Sequence, residues 1–261
     1  MLYDFKGKVA IITGASQGIG FGCAEAFIRG GADVAICART PANIESATKD
    51  LEALAQKTGS GSRVLGVVKD LSTAEGVDGF VKQSADRFGG IDIMVNSAGG
   101  SRSAPFLELP DEYLTEAWNL KLLGGIRITR AVVPHMEKRS GGGAIVLLTG
   151  GSSGHNPQRV PAWSTNGAQR SWVSAVAGDL AARNVTINLL MPGLVATRRY
   201  TIEIERRANE SGVSYEEALQ KQVANVPTKH VTTPEEIAEL VAFLCTRPVI
   251  NLTGHEIYCA Y

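Results

Sequence analysis

Three glycines near the start of the chain have the spacing of a phosphate-binding turn. Gly14, Gly18 and Gly20 follow the apolar, β-branched run Val9–Thr13 and lead into a helical pattern over residues 19–29. Such a run is typical of a strand buried on both faces. Glycines let backbone N–H groups approach a phosphate, and a helix N-terminus adds unpaired donors and a positive dipole. Strand, turn and helix together predict a site for the pyrophosphate of a dinucleotide.

Strand and helix patterns alternate along the rest of the chain. Further strands are predicted at residues 34–38, 63–68, 91–95, 144–148, 186–190 and 256–259, and helices at 43–57, 73–88, 111–135, 162–183 and 233–245. This alternation is typical of βαβ units and of a doubly wound, mostly parallel sheet. No linker or repeat divides the sequence, so residues 1–261 are predicted to form a single α/β domain.

In such a sheet a ligand binds outside the carboxyl ends of the strands. At the end of the second strand, where a carboxylate would hold the ribose 2′-OH of NAD, the sequence has Ala38 followed by Arg39. A guanidinium suits a 2′-phosphate, which favours NADP(H) over NAD(H), unless Arg39 is only a solvated loop charge. Asp70 follows the third strand, where it would meet the adenine amino group. The small residues of 96–100 follow the fourth strand and would let a sugar approach the backbone.

Composition argues against several classes of partner. The 261 residues contain 26 Lys and Arg against 26 Asp and Glu, so no charge excess favours nucleic acid or an anionic membrane. No apolar run approaches the ~20 residues that span a bilayer, and no signal-peptide pattern opens the chain. The four cysteines lack a CxxC spacing, and no metal-ligand constellation is present. We therefore expect a cytoplasmic protein without a metal, a membrane anchor or a nucleic-acid partner.

Several motifs together resemble the short-chain dehydrogenase/reductase (SDR) family over essentially the whole chain. They are residues 13–20, Asp70, residues 96–99, Asn119, residues 183–188, Pro192 and Gly193 with Thr197, residues 233–236 and residues 252–254. The resemblance implies a Rossmann-type domain with helices on both faces of the sheet. It also implies NAD(P), a homotetramer or homodimer, and hydride transfer between the nicotinamide and a carbonyl or alcohol.

The turn, the strand ends and the family motifs predict one set of cofactor-binding residues. These are Gly14, Ser16, Gln17, Gly18, Ile19, Gly20, Arg39, Asp70, Leu71, Asn96, Ala98, Gly99, Pro192, Gly193 and Thr197.

The family's catalytic set is Asn, Ser, Tyr and Lys, with Tyr-x-x-x-Lys on the helix after the fifth strand. The tyrosine protonates the developing alkoxide, although its free pKa is ~10. A lysine on the same helix face lowers that pKa and holds the nicotinamide ribose. The serine hydroxyl orients the substrate oxygen.

This sequence lacks the tyrosine and the lysine. A register counted backwards from residues 183–188 puts Ala162 in the tyrosine position and Asn166 in the lysine position. A register counted from the preceding loop would instead use Trp163 and Gly167. We prefer the first, because a loop tolerates a deletion better than a packed helix does.

Few candidates remain for catalysis. The serine position falls on Thr149 or on Gly150, and Asn119 matches the family asparagine. The predicted catalytic residues are therefore Asn119, Thr149 and Asn166. Possible substitutes for the missing acid are His155, whose imidazole has a suitable intrinsic pKa, and Tyr200.

Three functions are compatible with these motifs. The first is an NADP(H)-dependent oxidoreductase with a depleted active site, acting on a carbonyl or alcohol. In the family, residues equivalent to 197–228 cover the substrate as a lid. Here this segment is long and polar, which fits a bulky or charged substrate such as an acyl thioester. The second is a catalytically silent subunit that supports an active SDR paralogue in a mixed oligomer. The third is a non-redox enzyme on the same scaffold.

Overall fold

The computed structural model describes residues 3–151, 154–224, 226–247 and 250–259. In these ranges seven parallel strands form one sheet in the order β3-β2-β1-β4-β5-β6-β7. The strands are β1 Val9–Thr13, β2 Asp33–Ala38, β3 Val64–Val68, β4 Ile93–Asn96, β5 Gly143–Leu148, β6 Val185–Met191 and β7 Glu256–Tyr258. The order runs outward in both directions from β1 and β4, which confirms the doubly wound sheet. A crevice opens above the carboxyl ends of these two central strands.

Helices cover both faces of the sheet. They are α1 Gly18–Arg29, α2 Pro41–Thr58, α3 Ala74–Phe88, α4 Asp111–Ala117, α5 Gly124–Met136, α6 Val160–Ala182, α7 Arg198–Ser211, α8 Tyr215–Ala224 and α9 Pro234–Cys245. A hydrophobic core lies on each face of the sheet, and alternate residues of β1 belong to one or the other. Ile12 packs with α1, α2 and α9, and Ile11 packs with α3, α5 and α6. The first strand is therefore buried on both faces, as its run of apolar residues predicts. No helix in the described ranges is both long and apolar enough to cross a membrane.

Residues 111–135 are helical throughout, as predicted, but the helix is not a regular α-helix over its whole length. A π-helical turn, Trp118–Leu123, separates α4 from α5. Gly124 follows it at a close approach, since a Cβ there would lie 2.7 Å from the carbonyl oxygen of Leu71. A π-helical turn takes one more residue per hydrogen-bonded turn than an α-helix, so it changes the directions of the side chains in and after it. Apolar periodicity did not reveal this turn, because its residues stay helical.

The lid predicted at residues 197–228 contains two helices beyond the carboxyl end of β6. Ile204 and Ala208 of α7 pack on Ala218 of α8, and the rings of Tyr200 and Tyr215 lie against this small core. The lid thus has apolar contacts of its own, separate from the two cores of the sheet. Its first helix begins at Arg198, next to the cofactor-binding residues predicted at the end of β6.

Candidate active site

The glycine turn and the loop after β4 meet at backbone distance. Gly14 has a φ of +62°, and a Cβ there would lie 2.8 Å from both the N and the Cα of Ala98. The hydroxyl of Thr13 donates to Oδ1 of Asn96 at 2.6 Å and accepts from the N–H of Ala98 at 2.9 Å. These contacts bring Gly14, Asn96 and Ala98 together at the crevice, so that three of the predicted cofactor residues share one edge of the sheet.

The N-terminus of α1 fits a phosphate group. No side chain caps this helix, whereas Thr73 and Thr233 cap α3 and α9. The first N–H groups of a helix have no partner inside the helix, so those near Gly18 and Ile19 are available to an anion. Gly20 holds the helix against the turn, because a Cβ there would lie 2.7 Å from the carbonyl oxygen of Gly14. The chain therefore has the cradle that a dinucleotide pyrophosphate requires.

Arg39 and Asp70 are exposed at the neighbouring ends of β2 and β3. The backbone N–H of Ser72 donates to the Asp70 carboxylate at 3.0 Å and is the main cause that lowers the pKa of this carboxyl. The charge of Arg39 lowers the same pKa, which places the guanidinium near Asp70. Leu71 is buried beside them. The two polar side chains thus flank the place where the adenosine half of a dinucleotide would lie.

A cavity of about 390 Å³ opens beside this cradle, between the loop after β4, the ends of β5 and β6, the start of α6 and the lid. It brings together most of the residues that the sequence predicted for the nicotinamide end and the catalytic wall: Ile19, Ala98, Gly99, Thr149, Ala162, Asn166, Pro192, Gly193, Thr197 and Tyr200. Trp163 and Gly167, the alternative register, are not among the described residues that line it. Ala162 and Asn166, the preferred register, both line it.

Lys121 also lines this cavity, although no motif in the sequence predicts a role for it. Its Nζ donates a hydrogen bond to Oδ1 of Asn166. Its stem crosses Gly99, where a Cβ would lie 3.5 Å from Cδ of the lysine. Burial, and then the positive charge of Arg199, lower the pKa of Lys121 to about 8. An ammonium therefore lies against Asn166, the residue predicted to stand in the lysine position, although the ammonium comes from a different element.

The hydroxyl of Thr149 is engaged inside the protein. It donates to Oε1 of the fully buried Gln169 at 2.9 Å, and Nε2 of Gln169 donates to the carbonyl oxygen of Lys121 at 3.4 Å. Thr149 thus lines the cavity, but its proton is directed away from a substrate. Its described contacts support the π-helical turn rather than orient a substrate oxygen.

The predicted catalytic residue Asn119 and the possible substitute acid His155 are not among the described residues that line the cavity. Asn119 belongs to the same π-helical turn as Lys121, but its side chain is exposed. His155 is exposed on the loop before α6. The structure therefore does not bring these two side chains to the site. The one sequence signal for Lys121 was a lysine within the otherwise apolar stretch of residues 120–125.

Tyr200 lines the cavity, but its hydroxyl is poorly suited to donate a proton. The hydroxyl oxygen is buried and has no hydrogen-bond partner in the described part of the chain. Burial, and then Tyr215, raise its pKa above the usual value for tyrosine. At neutral pH this hydroxyl is a weaker acid than the ammonium of Lys121.

Positive charge dominates the mouth of the cavity. Arg159 and Arg199 line it, both exposed and both without an ion pair among the described residues. Glu203 is the one carboxylate among the described lining residues. Hydrogen bonds from Arg206, and then from Arg207, lower its pKa to about 2. Because the negative charge of Glu203 is already compensated by Arg206 and Arg207 of the same helix, the charge at the mouth favours an anion. The described residues contain no group of His, Cys, Asp or Glu side chains that could hold a metal ion.

A Rossmann-type sheet with an uncapped, glycine-preceded first helix defines the class of nucleotide-binding α/β proteins. A family model described as enoyl-(acyl carrier protein) reductase matches residues 14–260. The chain belongs to the short-chain dehydrogenase/reductase family of oxidoreductases.

Known relatives cover nearly the whole chain. Dehydrogenase/reductase SDR family member 4 of Oryctolagus cuniculus is 31% identical over 261 aligned residues, covering 97% of this chain and 92% of the relative. The L-sorbose reductase of Gluconobacter frateurii, solved with NADPH and L-sorbose, is 31% identical with a TM-score of 0.89, over 99% of this chain and 97% of that one. An actinorhodin polyketide ketoreductase variant with NADPH is 28% identical with a TM-score of 0.88, over 97% of this chain and 95% of that one. Each of the two structures thus pairs this fold with NADPH.

Proposed function

We propose that this chain is an NADP(H)-dependent oxidoreductase that reduces a carbonyl group held beside Lys121. The observation that carries the proposal is that a single cavity joins the predicted cofactor-binding residues to Lys121 and Asn166. The cavity is lined on one side by Ile19, Gly193 and Thr197, next to the phosphate cradle, and on the other by Lys121 and Asn166. A nicotinamide on the first side would face a polar group on the second. When bound, the reduced nicotinamide supplies the hydride for the reduction.

Two observations support NADP(H) over NAD(H). Arg39 lies exposed at the end of β2, close enough to Asp70 to affect its pKa, where a 2′-phosphate would meet the guanidinium. Both solved relatives described above contain NADPH. The 2′-phosphate would then be held by a charge-assisted hydrogen bond at a solvent-accessible position.

Arg39→Gln is expected to weaken NADPH binding about tenfold, because one charge-assisted hydrogen bond of about 1.5 kcal/mol is lost. NADH lacks the 2′-phosphate, so its affinity should change less than about twofold on the same reasoning. Titration of nicotinamide fluorescence measures both constants. Lys49→Gln, at an exposed position on α2, is the matched control. An equal loss of NADPH and NADH binding would show that Arg39 acts on the fold instead.

The charge of the mouth favours a carbonyl substrate that carries a carboxylate or a phosphate. Arg159 and Arg199 offer two guanidinium groups there, and Glu203 is neutralised by its neighbours on α7. A guanidinium recognises a carboxylate or phosphate through paired hydrogen bonds. An acyl thioester with a phosphate-bearing carrier meets the same requirement, with the bulky portion extending past the lid.

The experiment is a reduction assay that follows NADPH oxidation over matched substrates. The panel contains 2-oxo acids with their methyl esters, neutral cyclic ketones and 3-oxoacyl thioesters. The proposal expects turnover, with kcat/KM at least about tenfold higher for an acid than for its ester, since one ionic hydrogen bond is removed. Failure of the wild-type chain to bind NADPH, or to reduce any member of the panel, would overturn it.

A silent subunit is the second candidate, and two observations favour it. Ala162, which is predicted to stand in the tyrosine position, lines the cavity, and the proton of Thr149 is engaged by Gln169. A subunit of this kind would retain the nucleotide site and serve a paralogue that has the intact catalytic set. Co-purification of a homologous chain, with activity only in the mixed oligomer, would support this function. A purified chain that is active as a homodimer or homotetramer would exclude it.

A further inference from the structure

We infer that the ammonium of Lys121 donates the proton that completes the carbonyl reduction, in place of the family's tyrosine hydroxyl. This inference rests on the proposed function, because it names the acid for that same reaction.

The first support is the position of Nζ. Lys121 lines the cavity together with Ala162, the residue in the tyrosine position, and its Nζ reaches Asn166 one helical turn further along α6. The stem of Lys121 crosses Gly99 of the loop after β4. The ammonium therefore lies between the loop after β4 and helix α6, the helix that carries the catalytic tyrosine in the family.

The second support is that the hydrogen bonds leave a donor available. An ammonium has three N–H groups, and Asn166 is the partner that accepts one of them in the described structure. Asn166 cannot turn its amide around, because its Nδ2 donates to the carbonyl oxygen of Gly151 at 2.8 Å. Asn166 is thus a positioning residue that directs its Oδ1 to Nζ, and the remaining N–H groups can face a substrate oxygen.

The proton and electron balance of the step is closed. The carbonyl carbon accepts a hydride from the reduced nicotinamide, which is oxidised to NADP⁺, and the C=O π electrons become the alkoxide lone pair. The alkoxide oxygen takes a proton from Nζ, which becomes a neutral amine. Water entering through the mouth of the cavity returns a proton to the amine before the next turnover, and the hydroxide that remains leaves to bulk solvent, so that each turnover consumes one solvent proton.

The charges that face Nζ explain why this lysine is a suitable acid. Burial disfavours the ammonium most, and the positive charge of Arg199 on α7 adds to it, so that the pKa of Lys121 falls to about 8. Arg159 and Glu203 also line the cavity, but Glu203 is bound by Arg206 and Arg207. Asn166, which accepts from Nζ on α6, is uncharged, and so is Thr149, which lines the cavity after β5. An acid with a pKa near the working pH transfers a proton most effectively.

The first test replaces the acid. Lys121→Arg keeps the positive charge, but a guanidinium does not release a proton at these pH values. Lys121→Met removes the charge as well. Both variants are expected to lower the rate of hydride transfer by about 10²–10⁴-fold while still binding NADPH, because a general acid contributes on that order. Lys49→Arg, an exposed lysine on α2, is the control. Retention of the wild-type rate by Lys121→Arg would overturn the inference.

The second test moves the pKa. Reduction requires the protonated amine, so kcat/KM for the wild type should be constant below pH 8 and fall tenfold per pH unit above about 8. Asn166→Asp places a carboxylate beside the ammonium, which favours the charged form and raises its pKa. The falling limb should then move upward by at least about one pH unit. A role of Asn166 in folding alone would lower the rate equally at every pH.

The third test needs neither cofactor nor substrate. Competitive acylation of the whole protein with acetic anhydride, followed by mass spectrometry, gives the pH midpoint of each amine. Lys121 should titrate near 8 and an exposed lysine near the usual ~10.4. An ordinary midpoint for Lys121 would overturn the inference. In a separate experiment with a ketone substrate, a borohydride-trapped adduct on Lys121 would also overturn the inference, since it would assign the amine to imine chemistry.

The outcomes separate the two proposals. A wild type that reduces the panel while the Lys121 variants keep its rate removes the assignment of the acid and leaves the oxidoreductase proposal standing. A wild type that fails to bind NADPH removes both.

Discussion

The triple variant Lys121→Asn/Ala162→Tyr/Asn166→Lys should reduce its carbonyl substrates about 10²–10⁴ times faster than the double variant Lys121→Asn/Asn166→Lys. In both variants the lysine and the asparagine exchange elements and can keep the hydrogen bond between them. Only the triple variant regains a phenol, at position 162 in the cavity wall and four residues before the new ammonium. Residues four apart share a helix face, so the ammonium can lower the pKa of that phenol.

The comparison between these two variants isolates the proton donor. Stopped-flow measurement of NADPH oxidation under single-turnover conditions gives the rate of hydride transfer in each. NADPH binding serves as the control, and both variants should bind it with the wild-type constant within about threefold, since the cradle is untouched. Equal rates in the two variants would mean that the reacting carbonyl does not face position 162. The site would then lie elsewhere in the cavity.

The second large effect concerns the turn at Gly14. Gly14→Ala is expected to destabilise the fold by about 3 kcal/mol or more, from left-handed backbone strain of about 1–2 kcal/mol and an overpacking cost of similar size. The overpacking is specific to this site, because the new Cβ would lie 2.8 Å from the backbone of Ala98. Since the neighbour is backbone, the cofactor loop must shift to relieve the contact. NADPH binding should weaken at least about 100-fold, as displaced binding groups often cost that much.

Gly59→Ala is the matched control for this experiment. Gly59 also has a φ of +62°, and nothing lies within 4 Å of its added Cβ. It should therefore show only the backbone strain, of about 1–2 kcal/mol, and keep full NADPH affinity. Chemical denaturation gives the two free energies of unfolding, and fluorescence titration gives the two affinities. Similar destabilisation by both variants would contradict a close approach between the turn and the cofactor loop.

The Lys121–Asn166 contact changes how the missing motif is interpreted. The sequence has neither the tyrosine nor the lysine of the family on α6, which indicates a depleted active site. The cavity nevertheless contains a lysine amine whose pKa is about 8, supplied by the π-helical turn and held by the asparagine on α6. A cavity that lacks a conserved pair can therefore still contain an acid. The experiments above decide whether this acid serves the reduction.

The sequence by itself determined the fold and the nucleotide site. The apolar run Val9–Thr13, the glycines after it and the alternating elements are local features, and their spacing restricts the chain to a doubly wound sheet. The sequence also predicted that Ala162 and Asn166 stand in the positions of the catalytic pair, because position in one helix follows from counting residues. These inferences depended on neighbours along the chain, where backbone geometry sets the distances.

Only the tertiary structure decided which side chains share the cavity. Asn119 and Lys121 are two residues apart, yet Asn119 is exposed and Lys121 reaches Asn166 on another helix. The directions of these side chains depend on the π-helical turn, whose extra residue rotates the chain without changing its apolar pattern. The contact itself joins residues 45 positions apart, which only the packing of α6 against the turn brings together. Local spacing therefore predicted the cofactor cradle, and long-range packing placed the ammonium in the cavity.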